Sequence, residues 1–208
     1  MINVLYDNKE FVVCEKISGL VSEYSNDASS SLPAILCEQL GIDKLYTVHR
    51  LDKEVSGAIV YAKTQKAAAE FTKQITDGSF KKEYIAVVSG KLPENEAQLC
   101  DLLFHDRQKN KTYVVKKKRA GVKEAILEYT LLSYNTEEDT STLCIRLLTG
   151  RTHQIRVQLA SRGFPICGDR KYGSSIHTKP MRLHSHSLSF KNLENKDETL
   201  NFLSKPIW

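Results

Sequence analysis

Apolar and polar positions alternate with a period of two through most of the chain and take up a helical period in only a few places. Val4-Leu5-Tyr6 and Phe11-Val12-Val13-Cys14 flank the turn-forming run Asp7-Asn8-Lys9, which predicts an opening β-hairpin. Ser30 or Ser31 can cap a helix carrying Pro33, Ile35, Leu36 and Leu40, and Gly41 stands where such a helix ends. Over Ser56–Ala62 both alternating sets are apolar or small, as in a strand buried on both faces. Thr64 can cap the next helix, whose Ala67, Ala68, Phe71 and Ile75 form a stripe before Gly78 stops it.

Further strands are expected at 84–88, 112–116, 125–132, 142–148 and 183–190. Strands outnumber helices and follow one another like hairpins, which predicts an α+β fold with a large central mixed, mainly antiparallel sheet flanked by helices. Internal repeats, low-complexity runs and Gly/Ser/Pro-rich linkers are absent, so residues 1–208 are expected to form a single domain.

Composition narrows the classes. Of the 208 residues, 41% are hydrophobic and 26% charged, close to a soluble globular average. No apolar run approaches the length that spans a bilayer, and charge interrupts the amino terminus too early for a signal peptide, so no membrane role is expected. The five cysteines are odd in number, widely spaced and never C-x-x-C, which argues against a disulfide framework or a structural zinc site and suits a reducing, cytoplasmic setting. The net charge of +5 is a mild bias, but its distribution says more. Arg107, Lys109, Lys111, Lys116, Lys117, Lys118 and Arg119 crowd one short stretch with Tyr113, which can be a solvated hairpin or a surface for phosphates.

Three segments carry candidate chemistry: His49-Arg50-Leu51-Asp52-Lys53-Glu54-Val55-Ser56-Gly57, Lys82-Glu83-Tyr84 and Thr149-Gly150-Arg151-Thr152-His153-Gln154-Ile155-Arg156. Singly, each has a structural explanation. Asp52 sits at the mouth of a buried strand, where a rigid element can hold a side chain in place. Thr152 is a plausible cap for a short helix with Ile155 and Leu159 facing the core, which leaves Arg156 half-buried and in need of a carboxylate or phosphate partner. Tyr84, opening a central strand, can be core packing.

Taken together, the H-R-L-D-x-x-x-S-G, K-x-Y and G-R-T-H-Q-I-R segments, in this order, resemble the RluA family of RNA pseudouridine synthases. The resemblance continues through Gly163-Phe164-Pro165-Ile166-Cys167-Gly168-Asp169-Arg170-Lys171-Tyr172-Gly173 and Leu183-His184-Ser185-His186-Ser187-Leu188. It implies a catalytic domain with a cleft between two halves, Asp52 as the catalytic carboxylate, Tyr84 as the active-site tyrosine and Arg156 as the arginine paired with the carboxylate. Arg50 then fills the space left by a flipped nucleotide, and His49, Arg151, His153, Lys116, Lys117 and Lys118 lie on the substrate side. The small RNA-binding domain that precedes the catalytic domain in many relatives is not expected, because His49 comes too early to leave room for it. Ile17 stands in the family's K-P-x-G turn where proline is usual, Val55 where threonine is usual, and Gln158 where histidine is common, which touches loop geometry and substrate choice more than the reaction.

The implied reaction moves uracil from a C–N to a C–C glycosidic bond with no oxidation and no donated group, so neither a metal nor any other cofactor is expected. The expected partner is ribosomal or transfer RNA, bound by a monomer. Asp52 can attack the uracil ring or the ribose; sequence leaves both routes open. The rival readings are a catalytically silent RNA-binding protein of the same fold, a two-carboxylate hydrolase using Asp52 and Glu54, and a nucleotide-binding enzyme. The last is disfavoured because both G-x-G-x-x-G and G-x-x-x-x-G-K-[ST] are missing.

Overall fold

The structure, a computed structural model, describes residues 1–208. In chain order its elements are β1 (Val4–Asp7), β2 (Phe11–Lys16), α1 (Leu32–Leu40), β3 (Tyr46–Thr47), β4 (Ser56–Ala62), α2 (Gln65–Thr76), β5 (Lys81–Ser89) and β6 (Glu96–Asp106). There follow β7 (Lys111–Val115), β8 (Val122–Asn135), β9 (Thr140–Leu147), α3 (Gln154–Ala160), β10 (Leu183–Lys191) and β11 (Thr199–Leu203). The content is α+β and strand-rich, as the alternating pattern predicts. The chain divides into two compact units, Met1–Lys82 with His184–Trp208, and Glu83–Leu183.

In the first unit β1, β2 and β4 pair antiparallel in that order, β3 lies antiparallel on β4, and β11 on β10. One parallel pairing, β4 with β10, gives the sheet its mixed character. The opening hairpin turns on Asn8, whose side-chain oxygen accepts from the Glu10 and Phe11 amides at 2.9 and 2.8 Å. Both predicted caps are present: Ser31 Oγ accepts from the Ala34 amide and Thr64 Oγ1 from the Ala67 amide. Gly41 closes α1 in the left-handed conformation that a side chain would strain. The apolar stripe of α2 then packs Phe71 among Phe11, Phe80 and Phe190, mostly edge to face.

Gly57 is the position where a side chain is least tolerable. Its φ is +112°, and a Cβ there would run into the Ser185 backbone of β10. The S-G pair that follows the Asp52 loop therefore serves close strand approach.

The second unit is an antiparallel sheet in the order β5-β9-β8-β6-β7. β6 and β11 are strands the hydropathy pattern did not predict. Along β6 only Leu99 and Leu103 are buried, four residues apart, among Gln98, Cys100 and Asp101, so no run of alternating apolar positions marks it.

Helix α3 corrects one expectation. Its cap position is His153, in the left-handed region at φ +54°, and no side chain caps it, Thr152 included. The preceding loop is folded by Gln154 instead: its Oε1 accepts from the Arg151 amide at 3.0 Å and Thr149 Oγ1 at 2.8 Å, while its Nε2 donates to the Ile126 carbonyl. Every residue from Gln154 to Leu159 is buried, because this short helix packs against β6, β7 and the 3-10 turn at Arg170–Tyr172. Arg156 is accordingly buried, at 3% exposure, and not the half-buried residue that a two-sided helix predicts.

Candidate active site

In the first unit Asp52 opens a tight turn closed by a hydrogen bond from the Val55 amide to the Asp52 carbonyl, immediately before β4. The turn is fastened from beneath by Lys16, the last residue of β2, which is 1% exposed. Its ammonium donates to the carbonyls of Val55 at 2.6 Å, Lys53 at 2.9 Å and Ile17 at 3.2 Å. Burial pulls the Lys16 pKa down to about 8, a shift that the nearby charges of Asp52 and Glu54 oppose. Ser18 Oγ donates to the Glu54 carbonyl and the Gly19 amide to the Lys53 carbonyl, so the Lys16-Ile17-Ser18-Gly19 turn grips the Asp52 turn at three successive carbonyls, Lys53 to Val55, without the usual proline.

On the other flank Ser22 Oγ donates to the Leu51 carbonyl at 2.8 Å and accepts from the Leu51 amide at 3.1 Å. Tyr61, fully buried in β4, fixes Ser22 in turn by donating to its carbonyl. Arg50 lies at the surface, its Nη1 donating to Glu23 Oε2 at 2.8 Å. His49, 8% exposed, is turned inward: its Nε2 accepts from the Val60 amide and its ring packs on Phe80. Burial, helped by Lys82, drops the His49 pKa to about 3, so the ring is neutral with its proton on Nδ1. The end of the loop is tied to β10 by Ser56 Oγ, 2.9 Å from His184 Nδ1.

In the second unit Tyr84 is buried in β5 opposite Ile145 of β9. Arg156 Nε and Nη2 donate to Asp169 Oδ2 and Oδ1 at 2.7 and 2.9 Å, a two-pronged ion pair with both side chains buried. The guanidinium also lies over the Tyr172 ring, 5.2 Å from its centroid. Tyr172 OH accepts from the Thr112 amide and sits 2.9 Å from His153 Nδ1. Asp169 and Tyr172 are thus neighbours of Arg156 that residue-by-residue reading missed. Both stand inside the Gly163–Gly173 run, but nothing in their spacing from Arg156 signals the pairing.

Arg151 Nε donates to the Glu124 carbonyl, and Lys116, Lys117 and Lys118 are exposed on the loop leaving β7. Nearby, aromatic rings lie under the charged ends of basic side chains: the Arg119 guanidinium is 4.8 Å from the Phe104 ring centre and the Lys111 ammonium 5.4 Å from that of Tyr172. None of the five cysteines is paired, and no helix is long and apolar enough to cross a membrane.

The structure is a strand-rich α+β chain with a carboxylate on a clamped turn and a buried arginine–aspartate pair, and comparison with known proteins names its family. The sequence profile of the RNA pseudouridylate synthase family matches residues 10–161; the chain belongs to that family. It is 34% identical over 205 residues to an uncharacterized RNA pseudouridine synthase of Zymomonas mobilis, covering 94% of this chain and 90% of that one. It is 32% identical to ribosomal large subunit pseudouridine synthase D of Xanthomonas campestris, covering 97% and 62%, and 30% identical to tRNA pseudouridine(31) synthase of Saccharomyces cerevisiae, covering 94% and 52%. These include RluA-type relatives, in keeping with the sequence resemblance. The chain spans about six tenths of the length of several curated relatives it matches. The solved structure of human RNA pseudouridylate synthase domain containing 1 has the same fold, with a TM-score of 0.81 at 20% identity over 99% of this chain and 84% of that one.

Proposed function

We propose that this chain is an RNA pseudouridine synthase, an isomerase acting on selected uridines of ribosomal or transfer RNA, with Asp52, Tyr84 and Arg156 as catalytic residues. The observation that carries the reading is the build of the Asp52 turn, a carboxylate-bearing loop fastened by a buried ammonium within the segment that matches the family. Catalysis needs a side chain held to a fraction of an ångström, and the turn's bonds to Lys16, Ser18 and Gly19 supply that support.

The isomerisation breaks the uracil–ribose C–N bond and forms a C–C bond, and it balances without a second substrate. An ionised carboxylate serves it as nucleophile toward ring or ribose, or as stabiliser of the detached base. In this reading Arg156 supplies the cation that the reaction calls on, and Asp169 offsets the cost of burying that charge. Tyr84 offers a ring on which uracil stacks and a hydroxyl for the final proton removal.

A stacked uridine must leave its helix to react, at a cost of a few kcal/mol. Arg50, exposed two residues before Asp52, offsets part of that cost by entering the vacated space. His49, expected on the substrate side, is buried against Phe80 and acts only by tying the start of the Asp52 loop to β4. Arg151, Lys116, Lys117 and Lys118 supply contacts to the RNA backbone, while His153, buried against Tyr172, acts only by ordering the loop before α3. The whole of 1–208 acts as one catalytic domain, as a cytoplasmic monomer. Its likeness to a tRNA pseudouridine(31) synthase and to a ribosomal large subunit pseudouridine synthase supports the substrate class. The test is to map pseudouridines in ribosomal and transfer RNA from cells with and without the gene: one or more positions should revert to uridine, and identical maps would refute the activity.

A further inference from the structure

A carboxylate beside a side chain meant to meet RNA would work against binding, and Glu23 stands 2.8 Å from the guanidinium of Arg50. Both side chains are more than half exposed, at 57% for Arg50 and 55% for Glu23. Exposed pairs are ordinarily weak and often accidental. This one is set by the backbone on both sides. The residues next to the pair, Ser22 and Leu51, are locked by reciprocal hydrogen bonds through Ser22 Oγ. The Ser22 carbonyl accepts from buried Tyr61, and the Glu23 carbonyl accepts from Ser31 Oγ at 3.2 Å, the residue that also caps α1. Glu23 is therefore held opposite Arg50 by the register of two anchored segments and not by chance meeting of two long side chains.

We propose that Glu23 is a gate on Arg50: it holds the guanidinium until an RNA phosphate takes its place. The inference rests on the reading of Arg50 as the side chain that enters the helix. Arg50 cannot both bind Glu23 and fill the space of a flipped nucleotide, so the pair opens on every productive encounter. Carboxylate and phosphate present the same two-oxygen face to a guanidinium, so the exchange replaces one partner with an equivalent one. High exposure keeps the pair weak and screened, as a gate requires. Glu23 is then a positioning residue that raises the threshold for RNA engagement.

The test is a double-mutant cycle on RNA affinity, measured by fluorescence anisotropy with a labelled uridine-bearing stem–loop. Glu23→Gln should bind roughly two- to fivefold tighter than wild type at low salt, the scale expected of an exposed ion pair. In an Arg50→Ala background the same substitution should change affinity little, because no guanidinium remains to be released. Unchanged melting temperatures for both variants would exclude a folding effect, which neither exposed residue should produce. Weaker or unaltered binding by Glu23→Gln would overturn the gate, and so would equal tightening with and without Arg50, which reports only the loss of a repulsive charge. If wild type binds the stem–loop but isomerises no uridine, the proposed activity fails while this cycle still decides the gate. If it binds no RNA, both readings fail.

Discussion

Lys16 Nζ donates to the Val55 carbonyl at 2.6 Å across the base of the turn that begins at Asp52. This bond joins the end of β2 to the residue before β4, with two further carbonyls shared by the same ammonium. A neutral amine has two N–H donors and cannot serve three acceptors.

The first prediction concerns pH. Since the Lys16 pKa lies near 8, turnover should fall as pH rises through that value and the clamp loosens. Lys16→Met should be about a hundredfold slower at pH 7, the scale of a misplaced catalytic group, and should lack that alkaline limb. Stability runs the other way. The folded-state pKa is depressed from 10.5, so this group's contribution is fully present above 10.5 and lost as pH falls through about 8. Wild type should gain stability relative to Lys16→Met between those values, which denaturant unfolding across the range would check. Parallel pH–rate curves for the two proteins would refute the clamp.

Both capped helices, the hairpin at Asn8 and β4 were legible in the sequence because local chemistry decides them: a hydroxyl before a helix, a turn-forming asparagine, an unbroken apolar run. β6 was not, since its burial comes from strands distant in sequence and leaves only Leu99 and Leu103 as marks. The candidate residues were legible as motifs, whereas their supports were not. Lys16 is legible only as the first residue of the K-P-x-G-type turn, which does not say that it is buried under the Asp52 turn, and Asp169 gives no sign that it faces Arg156. Threonine at 152 suits a helix cap, but the left-handed turn at His153 gives the chain another route into α3.

Asp169→Asn tests the Arg156 pair. Both partners are buried, and a buried cation facing a neutral amide loses its compensation, at a cost of ~3 kcal/mol. For a chain of this length that corresponds to a melting temperature lower by roughly 10 °C. Thermal melting within a degree or two of wild type would show that Asp169 does not sustain the guanidinium.

Tyr84→Phe removes one hydroxyl and keeps a ring packed in β5. The fold and RNA affinity should survive while single-turnover conversion slows about a hundredfold, the size of a lost proton-transfer group. Wild-type conversion would leave the tyrosine a packing residue.

Lys116, Lys117 and Lys118 are exposed beside the edge strand β7. Replacing all three with alanine should weaken RNA binding and reduce the slope of log affinity against log salt by up to about 2 to 3, as contacts to phosphate do. A slope equal to that of wild type would assign this loop to solvent.

The central claim is that Asp52 carries the reaction, and Asp52→Asn tests it most directly, since the amide keeps the shape of the side chain and removes its charge. The measurement is single-turnover conversion of uridine to pseudouridine in ribosomal and transfer RNA from a strain lacking the enzyme, with RNA binding and melting followed on the same preparations. The account predicts a folded protein that binds RNA and forms no detectable pseudouridine. Conversion by Asp52→Asn at a rate near that of wild type would contradict it.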